Sequence, residues 1–386
     1  MAPQETQAEP PLAEIVRQWG RIGCIGFGGP PAHIALLREL CVTGRGWLTS
    51  VQFERALAAT NLLPGPASTQ LAIYCAWRLR GARGALLGGL SFILPGLVAI
   101  LALSVLFLSG SPPAWLRGAG MGAGAAVPAV AVRAGLGIAR PIWAQTPRSR
   151  RARVLAYALL GALAAALTGP WLVLVLLGCG LLELLGRRLL GLLSGAQPWM
   201  LLGLAAAPGG TVALVWTALK VGALAFGGGF VIVPLMQSDA VSTYHWMSHT
   251  QFLNAVALGQ VTPGPVTQTV AAVGYAAGGL AGGLLAALVA FAPSFSFILL
   301  GAARFERLLV DRRVLAFLGG AAPCAAGAIL GAAVPLAMAF RAGWQLALLA
   351  AAAVALLVLG RGVVLTLLLA GAIGAGAALL GASVPH

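Results

Sequence analysis

The sequence predicts an all-α polytopic membrane protein made of two homologous halves in inverted topology, with helices broken at Phe-Gly-Gly and Pro-Gly-Pro motifs. Three observations carry this reading. The first is composition. The chain is 60% hydrophobic and 9% charged, with a mean hydropathy of +0.94, whereas water-soluble domains carry about a quarter charged residues. The second is internal repetition. Phe27-Gly28-Gly29 and Pro64-Gly65-Pro66 recur as Phe226-Gly227-Gly228 and Pro263-Gly264-Pro265, and positions 27 and 226, like 64 and 263, are 199 apart. The same offset sets Gly23 on Gly222, Leu36 on Leu235, Trp47 on Trp246, Gln52-Phe53 on Gln251-Phe252 and Gly84 on Gly283 without a gap. The third is an alternation of charge between matching loops.

Taken in order, residues 1–11 form a polar lead with Glu5 and Glu9 and no basic region before an apolar core. They are expected to be disordered and to be no cleavable signal. The N-terminal repeat, 12–186, opens with a weakly apolar, broken region from Leu12 to Leu79. It continues into the apolar runs Gly84 to Leu108, Val154 to Leu167 and Trp171 to Leu185. A connector, 187–210, leads to the C-terminal repeat, 211–382. That repeat has its own broken region, Thr211 to Ala277, and the runs Leu280 to Gly301, Val314 to Phe340, Gln345 to Leu359 and Val363 to Leu380. Several runs are long enough to cross a bilayer core of about 30 Å. The broken regions either span as broken helices or dip in and return, and composition does not choose between these.

Loop charge supplies the orientation. Residues 78–83 hold Arg78, Arg80 and Arg83, while their counterparts 277–282 hold no charge. At the next loop the imbalance reverses, with Arg117 alone against Arg304, Arg307, Arg312 and Arg313. It then reverses again, with Arg140, Arg148, Arg150, Arg151 and Arg153 against Arg341. If basic loops face the cytoplasm, matching loops face opposite sides, as inverted halves require. The alternative is a parallel duplication with irregular loop charge. The net charge of +15 lies in these short loops without aromatic interleaving, so it reads as a topology signal and no nucleic-acid partner is expected. The five cysteines have no metal-ligand spacing and read as small core residues.

The motifs place candidate chemistry at the breaks. Gly-Gly before Pro interrupts a helix, and Pro30 and Pro31 suit the first turn of a new one. This is expected to leave the amides of Ala32 and His33 free for an anion. After each Pro-Gly-Pro come hydroxyls and a carboxamide, Ser68, Thr69 and Gln70 in one half and Thr267, Gln268 and Thr269 in the other. Donors without nearby acids suit an oxyanion. The alternative is that the breaks are kinks for close helix packing. Arg21 aligns with Lys220 inside apolar sequence. Together they either neutralise a dianion near the membrane centre or snorkel to an interface. Glu54 is a candidate carrier of a coupling proton, or the partner of Arg55 or another loop cation. His33 is a second candidate proton carrier. Glu183 is expected to pair with Arg187, and His245 and His249 sit in a polar loop, Asp239 to Thr250, without a third metal ligand.

Paired breaks of this kind in so apolar a chain are the sign of a secondary transporter. No filter motif points to a channel, and no cluster of nucleophile, base or metal ligands points to an enzyme. Phe27-Gly28-Gly29-Pro30-Pro31-Ala32-His33-Ile34, Phe226-Gly227-Gly228-Gly229 and the two Pro-Gly-Pro motifs resemble the long-chain, two-domain form of the chromate ion transporter family, over essentially Glu14 to Leu380. The resemblance implies a multi-pass protein of the cytoplasmic membrane that exports chromate, driven by the chemiosmotic gradient, and confers chromate resistance. It implies no cofactor. The site read from the breaks is formed by Phe27, Gly28, Gly29, Pro64, Gly65, Pro66, Phe226, Gly227, Gly228, Gly229, Pro263, Gly264 and Pro265 with the donors and cations named above. Gly229-Phe230-Val231 stands where the first half has Pro30-Pro31-Ala32, so the second half departs from the first at this contact. Sulfate, a tetrahedral dianion of similar size, would meet the same donors, which leaves uptake or exchange of sulfate, or passive anion flow, as alternatives. Monomer and homodimer are both compatible with a site completed within one chain.

Overall fold

The computed structural model describes residues 10–63, 65–108, 112–167, 172–185, 209–225, 232–302 and 311–383. The lead before Pro10, most of the 187–210 connector and the second Phe-Gly-Gly-Gly, residues 226–229, lie outside them, as does Pro64. The first half runs through α1 (Leu12–Ile25), α2 (Pro30–Arg38), a π-helical turn (Glu39–Gly44), α3 (Ser50–Leu62), α4 (Ala67–Leu108), α5 (Ala114–Gln145), α6 (Arg151–Leu167) and α7 (Leu172–Leu185). The second half gives α8 (Thr211–Leu224), α9 (Ile232–Gln237), a π-helical turn (Ser238–Thr243), α10 (His249–Val261), a 3-10 turn (Val266–Gln268) and α11 (Thr269–Gly301). It ends with α12 (Arg312–Met338), α13 (Trp344–Ala353) and α14 (Val363–Leu379). There is no strand among the described residues.

Among the described residues, four helical stretches are long and apolar enough to cross a membrane: Ala67–Leu108, Ala114–Gln145, Val266–Gly301 and Arg312–Met338. The second was not among the apolar runs read from the sequence. Arg117, Arg133, Arg140, Pro128, Pro141 and many glycines dilute its hydropathy, yet much of its length is buried against other helices.

Local chemistry repeats where the sequence repeats. Thr49 and Ser248 each cap a helix through a reciprocal box with Gln52 and Gln251. Each box satisfies two N-terminal amides that have no intrahelical acceptor. Both long helices that follow the Pro-Gly-Pro motifs are interrupted in the same way. Arg80 and Gly81 have φ/ψ of −144/29° and 57/−148°, and Gly278 and Gly279 have −158/30° and 62/−155°. The positive φ at the second position of each turn suits glycine.

At both turns the chain folds back. A Cβ on Gly84 would lie 2.3 Å from Ala76 O, and one on Gly282 would lie 2.3 Å from Gly274 O. Gly84 therefore corresponds to Gly282 and not to Gly283, so the register between the halves changes by one residue between the Pro-Gly-Pro motif and the turn. Gly88 against Ala76 Cβ and Gly89 against Ile73 Cγ1 continue the antiparallel packing. The arm starting at Ala67 thus begins beside the middle of the long arm that ends at Leu108.

The two halves interlock. α4 packs on α11, α5 on α14, and α6 and α7 on α12. Small residues make these seams. A Cβ on Gly122 would meet Ala370 O at 2.2 Å, one on Gly327 would meet Ala158 O at 1.8 Å, and one on Gly331 would meet Ala162 O at 2.2 Å. Close backbone approach through glycine is the ordinary way membrane helices associate, because lipid gives apolar side chains no reason to prefer each other.

Cys41, Cys75, Cys179 and Cys324 are free and buried, as expected of core residues. Cys24 is free but exposed on α1.

Candidate functional site

The break motifs of the two halves meet. The amide of Gly264, in the second Pro-Gly-Pro, donates to Gly26 O next to the first Phe-Gly-Gly, at 3.0 Å. A Cβ on Gly29 would touch Val266 Cγ2 at 3.5 Å, and one on Gly65 would lie 3.3 Å from both Gly222 O and Ser294 Oγ. A Cβ on Gly96, midway along the long arm of α4, would lie 2.0 Å from Pro263 O and 2.4 Å from Gln268 Oε1. Each Pro-Gly-Pro loop is therefore seated against the long helix of the opposite half, near that helix's middle. The backbone at Gly28 (φ 97°), Gly29 (φ 75°), Gly65 (φ 122°) and Gly264 (φ 92°) is left-handed, which restricts these positions to glycine. Phe27 and Gly28 are exposed, Pro263 is half-buried, and Gly65, Pro66, Gly264 and Pro265 are buried.

Several expected ligands are already engaged. His33 is fully buried. Its Nε2 lies 2.9 Å from Gly26 O and its Nδ1 3.2 Å from Ser68 Oγ, with Phe92 edge-on at 5.0 Å. A carbonyl oxygen only accepts, so Nε2 carries the proton and Nδ1 accepts from the serine hydroxyl. His33 and Ser68 thus staple the first break, and neither side chain has a donor left for a substrate. The amides of Ala32 and His33, expected to be free, both donate to Gly29 O at 3.1 and 3.2 Å. With no N–H on Pro30 or Pro31, the N-terminus of α2 offers no anion site. Thr269 Oγ1 is likewise engaged, donating to Val266 O at 2.8 Å.

What is left is a small set of buried groups without partners. Thr69 Oγ1, Thr267 Oγ1, Ser294 Oγ and Gln268 Oε1 make no hydrogen bond, and each of these residues is at most 2% exposed. Other helix hydroxyls in this chain bond back to the preceding turn, as Ser104 does to Ile100 O at 2.7 Å and Ser296 to Ala292 O at 2.9 Å. That back-bond is open to any helix serine or threonine, and an unmade buried hydrogen bond costs about 1–3 kcal/mol. Gln268 Nε2 donates to Ile93 O at 2.7 Å, which aims the carboxamide across to α4. Gln70 is fully buried one residue after Thr69, and Gln268 holds the same place after Thr267. The first intrahelical bond after the first Pro-Gly-Pro is Gln70 N to Pro66 O at 3.0 Å, so the amides of Ala67, Ser68 and Thr69 precede it. Ser294 escaped the sequence reading. Its only signal was a polar residue after Pro293, where the first half has Gly96 after Pro95.

The cations are placed differently from the expectation. Arg21 is exposed on α1, as a snorkelling residue would be. Lys220 is half-buried, and its Nζ sits 2.6 Å from Asp239 Oδ2 and 5.8 Å from the centre of the Trp216 ring. Asp239, read from the sequence as part of a polar loop, is 4% exposed within the π-helical turn after α9. Glu54 is exposed and paired with Arg38, which is the pairing with a loop cation that the sequence left open beside the proton-carrier reading. Glu183 meets Arg153 at 3.0 Å and the Tyr157 hydroxyl at 3.1 Å, while Arg187 lies outside the described residues. No group of three or more metal-ligating side chains occurs among the described residues.

The comparisons with known proteins follow the same outline. The chain is 32% identical to the chromate transport protein of Cupriavidus metallidurans, over 81% of this chain and 80% of that one. It is 32% identical to the chromate transport protein of Pseudomonas aeruginosa, over 82% and 80%. It is 29% identical to a probable chromate transport protein of Synechococcus elongatus, over 81% of each. No solved structure matches the chain. The family described as chromate transporter matches residues 13–184 and 212–375, one segment in each half, and the chain belongs to that family of membrane transporters.

Proposed function

We propose that this protein exports chromate across the cytoplasmic membrane, driven by the chemiosmotic gradient, and so gives chromate resistance. The two halves are inverted repeats, and the substrate site is the cluster where both Pro-Gly-Pro breaks meet the opposite long helix. Alternating access then follows from rocking one half against the other around a fixed central site. The observation that supports this most is that three hydroxyls at the breaks and on the facing long helix, Thr69, Thr267 and Ser294, are each buried without a partner, as is Gln268 Oε1, in an otherwise apolar chain. A tetrahedral oxyanion has four acceptor oxygens, and hydroxyls that make no bond inside the protein are free to donate to them. The relatives described as chromate transport proteins point to the same substrate.

Labelled chromate uptake into everted membrane vesicles, measured with respiration on, with a protonophore and with excess sulfate, tests this reading. Energy-dependent accumulation that collapses with protonophore is the expected result. Vesicles that contain the protein yet accumulate no chromate above controls would turn the assignment to another oxyanion or to inward movement. Hydroxyl donors do not distinguish chromate from sulfate, so competition by sulfate measures how far the site discriminates.

A further inference from the structure

The pair Lys220–Asp239 is the most enclosed ion pair among the described residues, with side-chain exposures of 13% and 5%. Thr217 Oγ1 adds a hydrogen bond of 2.8 Å to the same carboxylate oxygen. Lys220 and Thr217 lie on α8, the helix that enters the second break, while Asp239 lies in the turn after α9, the helix that leaves it. The pair therefore ties the two sides of the break together. No other charged side chain among the described residues pairs with Asp239.

The first half is built without such a pair. The first half forms the same π-helical turn at Glu39–Gly44, yet the positions matching Lys220 and Asp239 are Arg21, which is exposed, and Leu40. There the corresponding helix is tied by Glu14 and Arg45 at 2.9 Å, in a more exposed position. Buried ion pairs are seldom a net source of stability, and ionisable groups within membrane segments mark ion and proton pathways. Lys220 is two residues before Gly222, about 3 Å along the helix axis but on a different face, with its Nζ held over the Trp216 ring one turn earlier. Gly222 O borders Gly65 in the break cluster, so the ammonium reaches the break by swinging on its four-carbon stem.

Resting on the transport reading above, we propose that Asp239 is the proton-binding site of the transport cycle, and that Lys220 couples the proton to the oxyanion. A dianion arriving at the breaks and the Asp239 carboxylate compete for one ammonium. When the anion draws Lys220 away, the buried carboxylate is left uncompensated and takes one proton from the open side. Lys220 remains charged throughout. One proton then travels with each dianion, and the complex carries a net charge of −1 in place of −2. Outward movement is thus driven by the inside-negative membrane potential acting on that charge, while an outside-acid pH gradient acts on the same complex in the inward direction. On release of both, the ion pair re-forms.

The test uses the purified full chain in liposomes. Labelled chromate counterflow without gradients reports binding and alternation, and accumulation under an imposed pH gradient at clamped zero potential reports proton coupling. D239N is expected to keep at least half the wild-type counterflow and to lose pH-driven accumulation at least tenfold. The double variant K220Q/D239N, which leaves no buried charge unpaired, is expected to share that loss and to raise the chromate KM at least tenfold. An infrared carboxyl band that rises on acidification in wild type and is missing in D239N reads Asp239 protonation without any transport. D239N that retains pH-driven accumulation overturns the proposal, as does D239N that reaches the membrane but loses counterflow with it, because the pair is then structural. Wild type with the infrared band but no chromate counterflow refutes the chromate reading and leaves Asp239 as the proton site. Wild type lacking the band refutes the Asp239 assignment alone.

Discussion

A buried hydroxyl without a partner is the residue-scale sign of a ligand, and this protein supplies its own controls. Thr69, Thr267 and Ser294 make no internal bond, whereas Ser104, equally buried, donates to Ile100 O. A hydrogen bond to a charged group contributes about 1.5–3 kcal/mol, so Thr69→Ala, Thr267→Ala and Ser294→Ala are each expected to raise the chromate KM by about tenfold or more. Ser104→Ala is expected to leave it unchanged at equal protein in the membrane. Equal effects at all four positions would show that the hydroxyls matter for packing and not for substrate. Glu54 gives the opposite prediction. Its ion pair with Arg38 is exposed, and such pairs contribute about 0–1 kcal/mol, so Glu54→Gln is expected to keep pH-driven transport within about twofold. A collapse of the pH response there would return the coupling role to Glu54.

At the scale of elements, what matters is where glycine lets two backbones touch. Gly327 sits on Ala158 O, whereas Gly376 has nothing within 4 Å of where a Cβ would be. Overpacking a tight contact costs about 1–3 kcal/mol or more. Gly327→Leu is therefore expected to lower the melting temperature in detergent by several degrees, and Gly376→Ala to change it by less than a degree. Similar shifts in both would mean that the α6–α12 seam is not the close contact described. The paired breaks and capping boxes were legible in the sequence, because glycine, proline and Ser/Thr-x-x-Gln act locally. The one-residue change of register is also written there, because Thr69-Gln70 follows Pro66 after two residues and Thr267-Gln268 follows Pro265 after one, and a constant offset of 199 carried past the motif runs over that missing residue. The engaged states of His33, Ser68 and Thr269 were not legible, nor was the burial of Asp239. Each depends on what packs against it from a distant or following turn, and motif spacing carries no such information.

For the whole molecule the open quantity is the relative direction of the halves, and loop charge makes a definite claim about it. The turn at Arg80-Gly81 is followed by Ala82 and Arg83, in a basic loop. The matching turn at Gly278-Gly279 is followed by Leu280, in a loop without charge. Basic loops stay on the cytoplasmic side, so inverted halves require Ala82 and Leu280 to face opposite compartments. Both residues are exposed, which makes them suitable for labelling once replaced by cysteine. Of the native cysteines only Cys24 is exposed, so Cys24→Ser supplies a background that should be silent to an impermeant thiol reagent in intact cells. In that background Leu280→Cys is expected to react from outside intact cells and Ala82→Cys only after the membrane is permeabilised. Reaction of both from the same side would make the halves a parallel duplication. Rocking of inverted halves about a central site would then have to be abandoned, while the cluster of breaks and its unpartnered hydroxyls would still need a ligand.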